Sequence, residues 1–243
     1  AQQTIYQELV FLLNKSLSLQ PDEPKTLLAL ANYSFWIGWD FAKAEEYYQQ
    51  LIALTPNSAE ANFTYAQFQL AKGNAALALK HIKLYIELEP SSYAVPSVAW
   101  IYNMMEDYDN ALKEVEKLKL LESSHDIDFS YHSSAQNIYE NAGNIEKAGE
   151  HMLAVLKYAN YSEQHVNDTE KAYQQGGLTN VYSWLLDVKK EPGFIGQYTP
   201  PLSFARYAIG AGETERAVDY LLEAKRLRQT SLLWFNVDPK YKS

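Results

Sequence analysis

The sequence contains no cysteine, so disulfide bonds, zinc–thiolate sites and thiol catalysis are excluded. This absence suits the cytosol and the periplasm equally, and the compartment stays open. Long apolar runs are also missing. The longest uncharged apolar stretch, Thr26 to Trp39, is too short to cross a bilayer and includes Asn32 and Ser34. Any membrane attachment is therefore expected from a segment outside this chain.

A signal peptide is missing as well, and the first residue is Ala1 rather than methionine. The chain also stops abruptly at Ser243. Both features predict a fragment of a longer protein. Basic residues are in the minority, because 21 Lys and Arg stand against 30 Asp and Glu. A nucleic-acid surface needs clustered basic residues, so the net charge of −9 argues against nucleic-acid contact by this fragment.

Motifs that carry catalysis or phosphate binding are missing too. No G-x-S-x-G or H-E-x-x-H occurs, and Gly176-Gly177 is followed by Leu, Thr and Asn rather than by Lys-Ser/Thr. His125, Asp126, Asp128 and His132 lie close together, but their spacing matches no metal-binding motif. We interpret this stretch as a solvated loop. The sequence predicts no catalytic, cofactor-binding or metal-binding residue, and no enzyme.

A repeat of helix pairs organises what is present. In the stretch Lys72 to Ser91, small residues follow a glycine, apolar residues recur at helical spacing and Pro90 ends the helix. The same pattern occurs upstream, where Ala44 corresponds to Ala78 and Pro56 corresponds to Pro90. Both pairs have the same separation, and a fixed period of about 34 residues is typical of tetratricopeptide (TPR) helix pairs.

The repeat predicts a single array over residues 1–243, in which a first helix precedes six paired or irregular segments. The predicted segments are repeat 1 (20–56), repeat 2 (57–91), repeat 3 (92–125), repeat 4 (129–160), an irregular helix and loop (161–200), and a closing repeat with its cap (201–243). The fold class is all-α. We expect a right-handed superhelix (an α-solenoid) of four to five helix pairs, ended by a C-terminal capping helix.

Three local signatures resemble one group of TPR proteins. They are the turn Trp39-Asp40-Phe41-Ala42-Lys43-Ala44-Glu45, the glycine pair in Gln175-Gly176-Gly177-Leu178 with Tyr182 and Leu185-Leu186, and the segment from Ala205 to Arg228 with Val237-Asp238-Pro239. The chain thereby resembles the TPR region of bacterial, membrane-anchored winged-helix transcriptional regulators of the ToxR/CadC-like type. Related TPR regions follow some adenylate cyclases and serine/threonine kinases.

This resemblance implies a non-catalytic interaction or sensory domain that passes a signal to a DNA-binding domain elsewhere in the protein. Its partner would be a protein, a peptide or a small effector, and a homodimer is left open. The alternative is a scaffold or self-association module appended to a signalling enzyme, an adenylate cyclase or a protein kinase. A winged-helix pattern preceding the chain would support the first interpretation, and a catalytic domain the second.

The first helices of the repeats are expected to line a concave groove that binds the partner. The basic residues with which some TPR domains hold a C-terminal carboxylate are missing there, which argues against a chaperone co-receptor. Aromatic and apolar residues suit an apolar or aromatic segment instead. The predicted groove residues are Tyr33, Trp36, Phe63, Gln67, Leu70, Ile101 and Met105. Several of them are alternatively explained as residues that pack the repeats together.

Overall fold

The computed structural model describes the backbone of residues 2–90, 94–159, 161–188 and 199–242. Within these ranges the chain is helical and contains no strand, which confirms the predicted all-α class. Two compact units are present, Ala1–Ala94 and Val95–Ser243. The helices of each unit pack in neighbouring pairs, as in a TPR α-solenoid.

Unit 1 consists of five helices. They are α1 (Gln2–Leu19), α2 (Pro24–Asn32), α3 (Phe41–Leu54), α4 (Ala59–Ala71) and α5 (Ala75–Leu88), and a π-helical segment (Tyr33–Gly38) continues α2. Helix α2 packs on α3, and α4 packs on α5. Helices α2 and α3 lie within the segment predicted as repeat 1 (20–56), and α4 and α5 lie within the segment predicted as repeat 2 (57–91).

Unit 2 begins in α6. Its helices are α6 (Ala94–Met104), α7 (Tyr108–Glu116), α8 (His125–Asn141), α9 (Ile145–Tyr158), α10 (Glu163–Val188), α11 (Pro201–Gly210) and α12 (Thr214–Arg226). A 3-10 turn (Lys117–Leu120) extends α7, and two more (Thr230–Trp234 and Pro239–Tyr241) follow α12. One core cluster joins α6, α7 and α8, and α11 packs on α12.

One residue of left-handed backbone lies in the turn between the two helices of every pair. Each such residue precedes a second-helix alanine by five positions. Their φ values are 55° for Trp39, 84° for Gly73, 60° for Glu106, 78° for Gly143 and 76° for Gly212. Glycine adopts this conformation without a steric penalty, and it ends a helix while satisfying the last carbonyl groups. The turns of all five pairs therefore share one left-handed residue at the same distance from the second-helix alanine, and in the last four pairs the same five-residue backbone bond closes the first helix.

The alanine that follows each turn is where the second helix approaches the first. Ala44, Ala78, Ala111 and Ala148 are fully buried, and Ala217 is 3% exposed. A methyl group at this position lets the two helix backbones come close, and larger neighbours fill the space on either side. In unit 1 these neighbours include Phe35 and Tyr48, both fully buried.

Repeat 1 contains one additional residue, which the π-helical segment Tyr33–Gly38 accommodates. The backbone N–H of Asp40 donates to the carbonyl of Ser34, six residues earlier, at 2.8 Å. In repeat 2 the equivalent bond from Asn74 reaches Gln69, only five residues earlier, also at 2.8 Å. A π-turn widens the helix by one residue without breaking it. A residue that precedes this segment on the first helix of repeat 1 therefore lies one position further from Ala44 than its equivalent in repeat 2 lies from Ala78.

A glycine pair bends α10. Gly177 has φ of 65° and ψ of −154°, a combination that only glycine adopts readily, and it separates two helical stretches. The C-terminal stretch of α10 packs against α9 through a cluster that includes Leu178, Val181 and Leu185.

One local prediction was wrong. Helix α8 begins at His125, within the stretch interpreted as a solvated loop, because the hydroxyl of Ser124 caps it by accepting from Ile127 N–H at 3.3 Å. Helix α10 begins at Glu163, inside the segment predicted as an irregular helix and loop (161–200), and residues 189–198 of that segment lie outside the described residues. Two 3-10 turns follow α12 at the position of the expected cap.

The sequence predicts that any membrane attachment comes from a segment outside this chain, and the helices can be compared with this expectation. None of the helices in the described ranges combines the length and the apolarity that a bilayer-spanning segment requires.

We expect Ala78→Leu to lower the free energy of unfolding by about 1–3 kcal/mol, because three added carbon atoms cannot fit at a buried helix contact. Urea titration followed by circular dichroism measures the loss. Ala76→Leu is the matched control, since Ala76 lies on the same helix but is exposed. Equal stability of the two variants would contradict a close helix approach at Ala78.

Candidate functional site

The first helix of a pair presents equivalent side chains that can be located by counting back from the second-helix alanine. Gln67 lies eleven positions before Ala78. In unit 2 the residues eleven positions before the corresponding alanines are Trp100, Asn137 and Arg206, and those eight positions before are Asn103, Glu140 and Ile209. Because the intervening turn has the same backbone, equal counts give equivalent faces. We name Trp100, Asn103, Asn137, Glu140 and Arg206 the first-helix face of unit 2.

Four of the predicted groove residues in unit 1 are partly accessible. Tyr33, Trp36, Phe63 and Gln67 are half-buried. Their rings are held by neighbours: the Phe63 ring lies 4.9 Å from that of Tyr85, and the Trp36 ring 4.9 Å from that of Phe35. Partner binding by these four residues stays a prediction.

Leu70, the fifth, is only 1% exposed. It is a core residue of unit 1, since a partner cannot reach a side chain that the helices already enclose.

The two groove residues predicted in unit 2 are not on its first-helix face. Ile101 is 1% exposed and belongs to the core, whereas Met105 is 38% exposed and lies just beyond the end of α6. The reason is the length of the third repeat, because Ala111 follows Ala78 one position sooner than Ala78 follows Ala44. One residue rotates a helix position by about 100°. The equivalent of Gln67 is therefore Trp100, which is half-buried.

The first-helix face of unit 2 borders a cleft of about 150 Å³. Its lining comes from α6, α8 and α11 and includes Pro96, Trp100, Asn103, Ser133, Asn137 and Arg206. Within the cleft region, the guanidinium of Arg206 donates to the Asn137 side-chain oxygen at 3.1 Å. Helices that are separate in the sequence thus contribute aromatic, amide and cationic groups to one surface.

The C-terminal segment, residues 230–242, lies against this face. The Trp234 ring meets the Trp100 ring edge-on, with centroids 5.2 Å apart. Asp238 pairs with Arg206, with an N–O distance of 3.6 Å. We had expected the tail to cap only the end of the core. Leu232 and Tyr241 do pack on the closing pair, but Trp234 extends the contact to α6.

A buried ion pair is at the centre of this contact. The ammonium of Lys240 binds the Glu140 carboxylate, and the two side chains are 8% and 11% exposed. The same carboxylate accepts hydrogen bonds from the Gln136 amide at 2.8 Å and the Tyr182 hydroxyl at 2.7 Å. Gln136 occupies a position that holds alanine in the pairs α4–α5, α6–α7 and α11–α12, and this bond explains its presence.

A glycine brings the Tyr182 hydroxyl to Glu140. A Cβ atom on Gly210 would meet the Tyr182 ring at 2.1 Å, so the ring lies directly on the backbone of α11. Burial raises the pKa of Tyr182, and the Glu140 charge raises it further. Burial also lowers the pKa of Lys240, although the Glu140 carboxylate opposes that change. Both shifts have the same cause, which is low solvent access at the contact.

A second feature of unit 2 is a pair of histidines on α8 and α9. The Nδ1 atoms of His132 and His151 are 3.0 Å apart, so one imidazole donates and the other accepts. They border a pocket of about 390 Å³ that is also lined by Lys119 and Tyr131. Burial lowers the pKa of His151 to about 4, helped by the positive charges of His132 and Lys119. Burial likewise lowers the pKa of His132.

The structure offers no arrangement for metal binding within the described ranges, where no three His, Asp or Glu side chains converge. His125 and Asp126 are exposed in the first turn of α8, and their charged atoms are 3.8 Å apart. The described surfaces therefore consist of aromatic contacts, amides and paired charges. Groups of these kinds are common at protein–protein interfaces.

Comparison with known families agrees with this geometry. Residues 40–101 match the family model of the tetratricopeptide repeat. The match covers about a quarter of the chain and supports a TPR protein. TPR repeats generally mediate protein–protein interaction, and TPR domains are typically non-catalytic. No curated protein matches the chain.

The residues that converge in unit 2 are absent from the predicted groove. They are Trp100, Asn137, Glu140, Arg206, Asp238 and Lys240. The four on first helices could have been located by counting back from the alanines that follow each turn. The two in the C-terminal segment carry no periodic signal. Only the path of the chain brings them to the first-helix face.

We expect acid to destabilise the protein through the histidine pair as the pH falls from about 6.5 towards 4. An unfolded histidine takes up a proton near pH 6.5, whereas His151 resists protonation down to about 4. Stability is therefore retained above pH 6.5 and is lost below it. His151→Phe should reduce the fall in Tm between about pH 7 and 5.

Thermal unfolding at several pH values measures this difference. His125→Phe is the control, because the His125 imidazole is exposed at the start of α8. A wild-type Tm that falls no faster than that of His151→Phe would contradict the prediction.

Proposed function

We propose that this chain is a non-catalytic interaction domain that binds a protein segment on the first-helix faces of its TPR pairs. The observation that carries the proposal is the partial exposure of aromatic side chains on the first helices of the unit 1 pairs. Tyr33, Trp36 and Phe63 each keep some accessible surface while a neighbouring aromatic ring supports them. Rigid, partly exposed aromatic rings are the commonest anchors of protein interfaces.

The chemistry of these residues favours an apolar or aromatic partner segment. Gln67 adds an amide beside the rings, and the residues named carry no charge. A segment with one or two aromatic or aliphatic anchors would bury apolar area here without desolvating an ion. A highly charged partner would gain little from the same face.

We further propose that the domain is the C-terminal, signal-receiving part of a bacterial transcriptional regulator. This rests on the resemblance of the Trp39 turn, the Gly176-Gly177 helix and the closing segment to the ToxR/CadC-like group. The sequence that precedes this chain in the gene distinguishes the two candidate hosts. A winged-helix domain supports the regulator, and a cyclase or kinase domain would overturn it.

Replacing both Tyr33 and Phe63 with alanine should weaken partner binding at least tenfold, because two anchors at one interface are removed. A partner is first identified by cross-linking and mass spectrometry, and its affinity for purified variants is then measured by titration. Circular dichroism checks that helicity is unchanged.

Phe11→Ala is the matched control, since Phe11 is 66% exposed on α1. Unaltered affinity in the double variant, or an equal loss in the control, would reject a role for this face in binding.

A further inference from the structure

The C-terminal segment contacts the first-helix face of unit 2 as a bound peptide would. Three of its side chains pair one by one with residues on three different helices: Trp234 with Trp100 on α6, Lys240 with Glu140 on α8, and Asp238 with Arg206 on α11. The receiving residues are at the recurring first-helix positions. At Trp100 and Arg206 the segment therefore covers the position that is partly accessible on α4 of unit 1, where Gln67 is half-buried.

The segment is not built like the helix pairs it contacts. It follows Arg228, whose φ of 50° ends α12, and it contains two 3-10 turns of five and three residues. Its own backbone bonds span only three or four residues, such as Phe235 N–H to Leu232 at 3.1 Å. Short 3-10 turns have little stability of their own. The side-chain contacts with the face must therefore hold the segment in place.

The charge pairs make the attachment of the segment to the face selective, but they add little to its strength. Removing an ammonium and a carboxylate from water costs much of what their attraction returns, so the Lys240–Glu140 pair adds little net stability. Loss of one partner is costly, because the other is left buried without its counter-charge. The hydroxyl of Tyr241 is buried and has no hydrogen-bond partner among the described residues, which weakens the contact further.

Glu140 and Arg206 therefore specify what can replace the segment. A replacement must bring a cation to Glu140, which the Gln136 and Tyr182 donors already orient. It must also bring an anion to Arg206, which the Asn137 amide oxygen helps to position. An aromatic ring is required at Trp100. In the segment these groups occur in the order aromatic, acidic, basic, four and then two positions apart.

We propose that residues 230–242 are an intramolecular ligand of the first-helix face of unit 2. Partner segments with the same order of aromatic, acidic and basic residues compete with it. The partner part of this inference rests on the proposed function, whereas the intramolecular part does not. Binding to unit 2 then requires release of the segment, so the segment is autoinhibitory.

The test uses the full chain with Lys240→Glu, which places a second negative charge at Glu140 and should expel the segment. A fluorescent peptide with the sequence of residues 230–242 is titrated against this variant and against the wild-type chain. We expect saturable binding to the variant and at least tenfold weaker binding to the wild type, whose own segment occupies the face. Circular dichroism verifies that the helices are retained.

Charge reversal supplies the decisive control. Adding Glu140→Lys to Lys240→Glu restores an opposite-charge pair within the chain, so the segment should return to the face and its amides should exchange more slowly than in Lys240→Glu alone. Lys242→Glu is a matched single change: its partner is Glu106, but those side chains are 49% and 51% exposed. Exposed pairs contribute little, so this variant should behave like the wild type.

A folded Lys240→Glu chain that fails to bind the peptide would overturn the proposal. If that variant does not fold, hydrogen exchange of the wild type decides instead. Amides of 230–242 should exchange faster than those of α11 and α12, and exchange only with global unfolding would overturn the proposal. A wild-type dimer with exchanged segments would overturn the intramolecular assignment. Because the peptide is derived from this chain, failure of the Tyr33 and Phe63 test leaves this result unaffected.

Discussion

The close approach of two helices at a buried alanine is the constraint on which the rest of the structure depends. Each pair has one such residue, Ala44, Ala78, Ala111, Ala148 or Ala217, and each follows a left-handed turn residue by five positions. The methyl group allows the backbones to meet, and the turn sets the register in which they meet. Every other side chain of the pair is then oriented by its distance from that alanine.

Because of this register, the number of residues between a side chain and the alanine indicates which face of the first helix that side chain occupies. Residues eleven and eight positions before the alanine lie on one face of the first helix, whatever their chemical type. Unit 1 has Gln67 and Leu70 at these positions, whereas unit 2 has Trp100, Asn137, Glu140 and Arg206 on its face. The scaffold is thus independent of the chemistry that it displays, as expected for a repeat in which packing positions and display positions alternate.

Buried charge distinguishes the unit 2 face from an ordinary packed core. An apolar contact would hold the C-terminal segment more firmly than the Lys240–Glu140 and Asp238–Arg206 pairs do. Paired charges instead discriminate, because a mismatched segment leaves Glu140 or Arg206 without a counter-charge. A surface that must release one ligand and accept another benefits from contacts that are specific and individually weak.

Helical period, turn residues and the fixed spacing of the repeats were enough to predict the all-α class and the packing of the helices in pairs. Local signals decide these features, since helix formation and termination depend on residues a few positions apart. The groove residues were predicted less well. A third repeat that is shorter by one residue moved the face from Ile101 to Trp100, and burial removed Leu70 and Ile101 from the surface.

By itself the sequence determined which residues pack the repeats, because small residues and turn residues recur at set intervals. Only the tertiary structure decided that Lys240 meets Glu140, 100 residues earlier, and that Trp234 meets Trp100. No periodicity records such contacts. They depend on the direction in which the chain leaves α12 at Arg228, and on the exact number of residues in each of the preceding repeats. One residue more or less in a repeat changes which side chain of the next helix faces the partner.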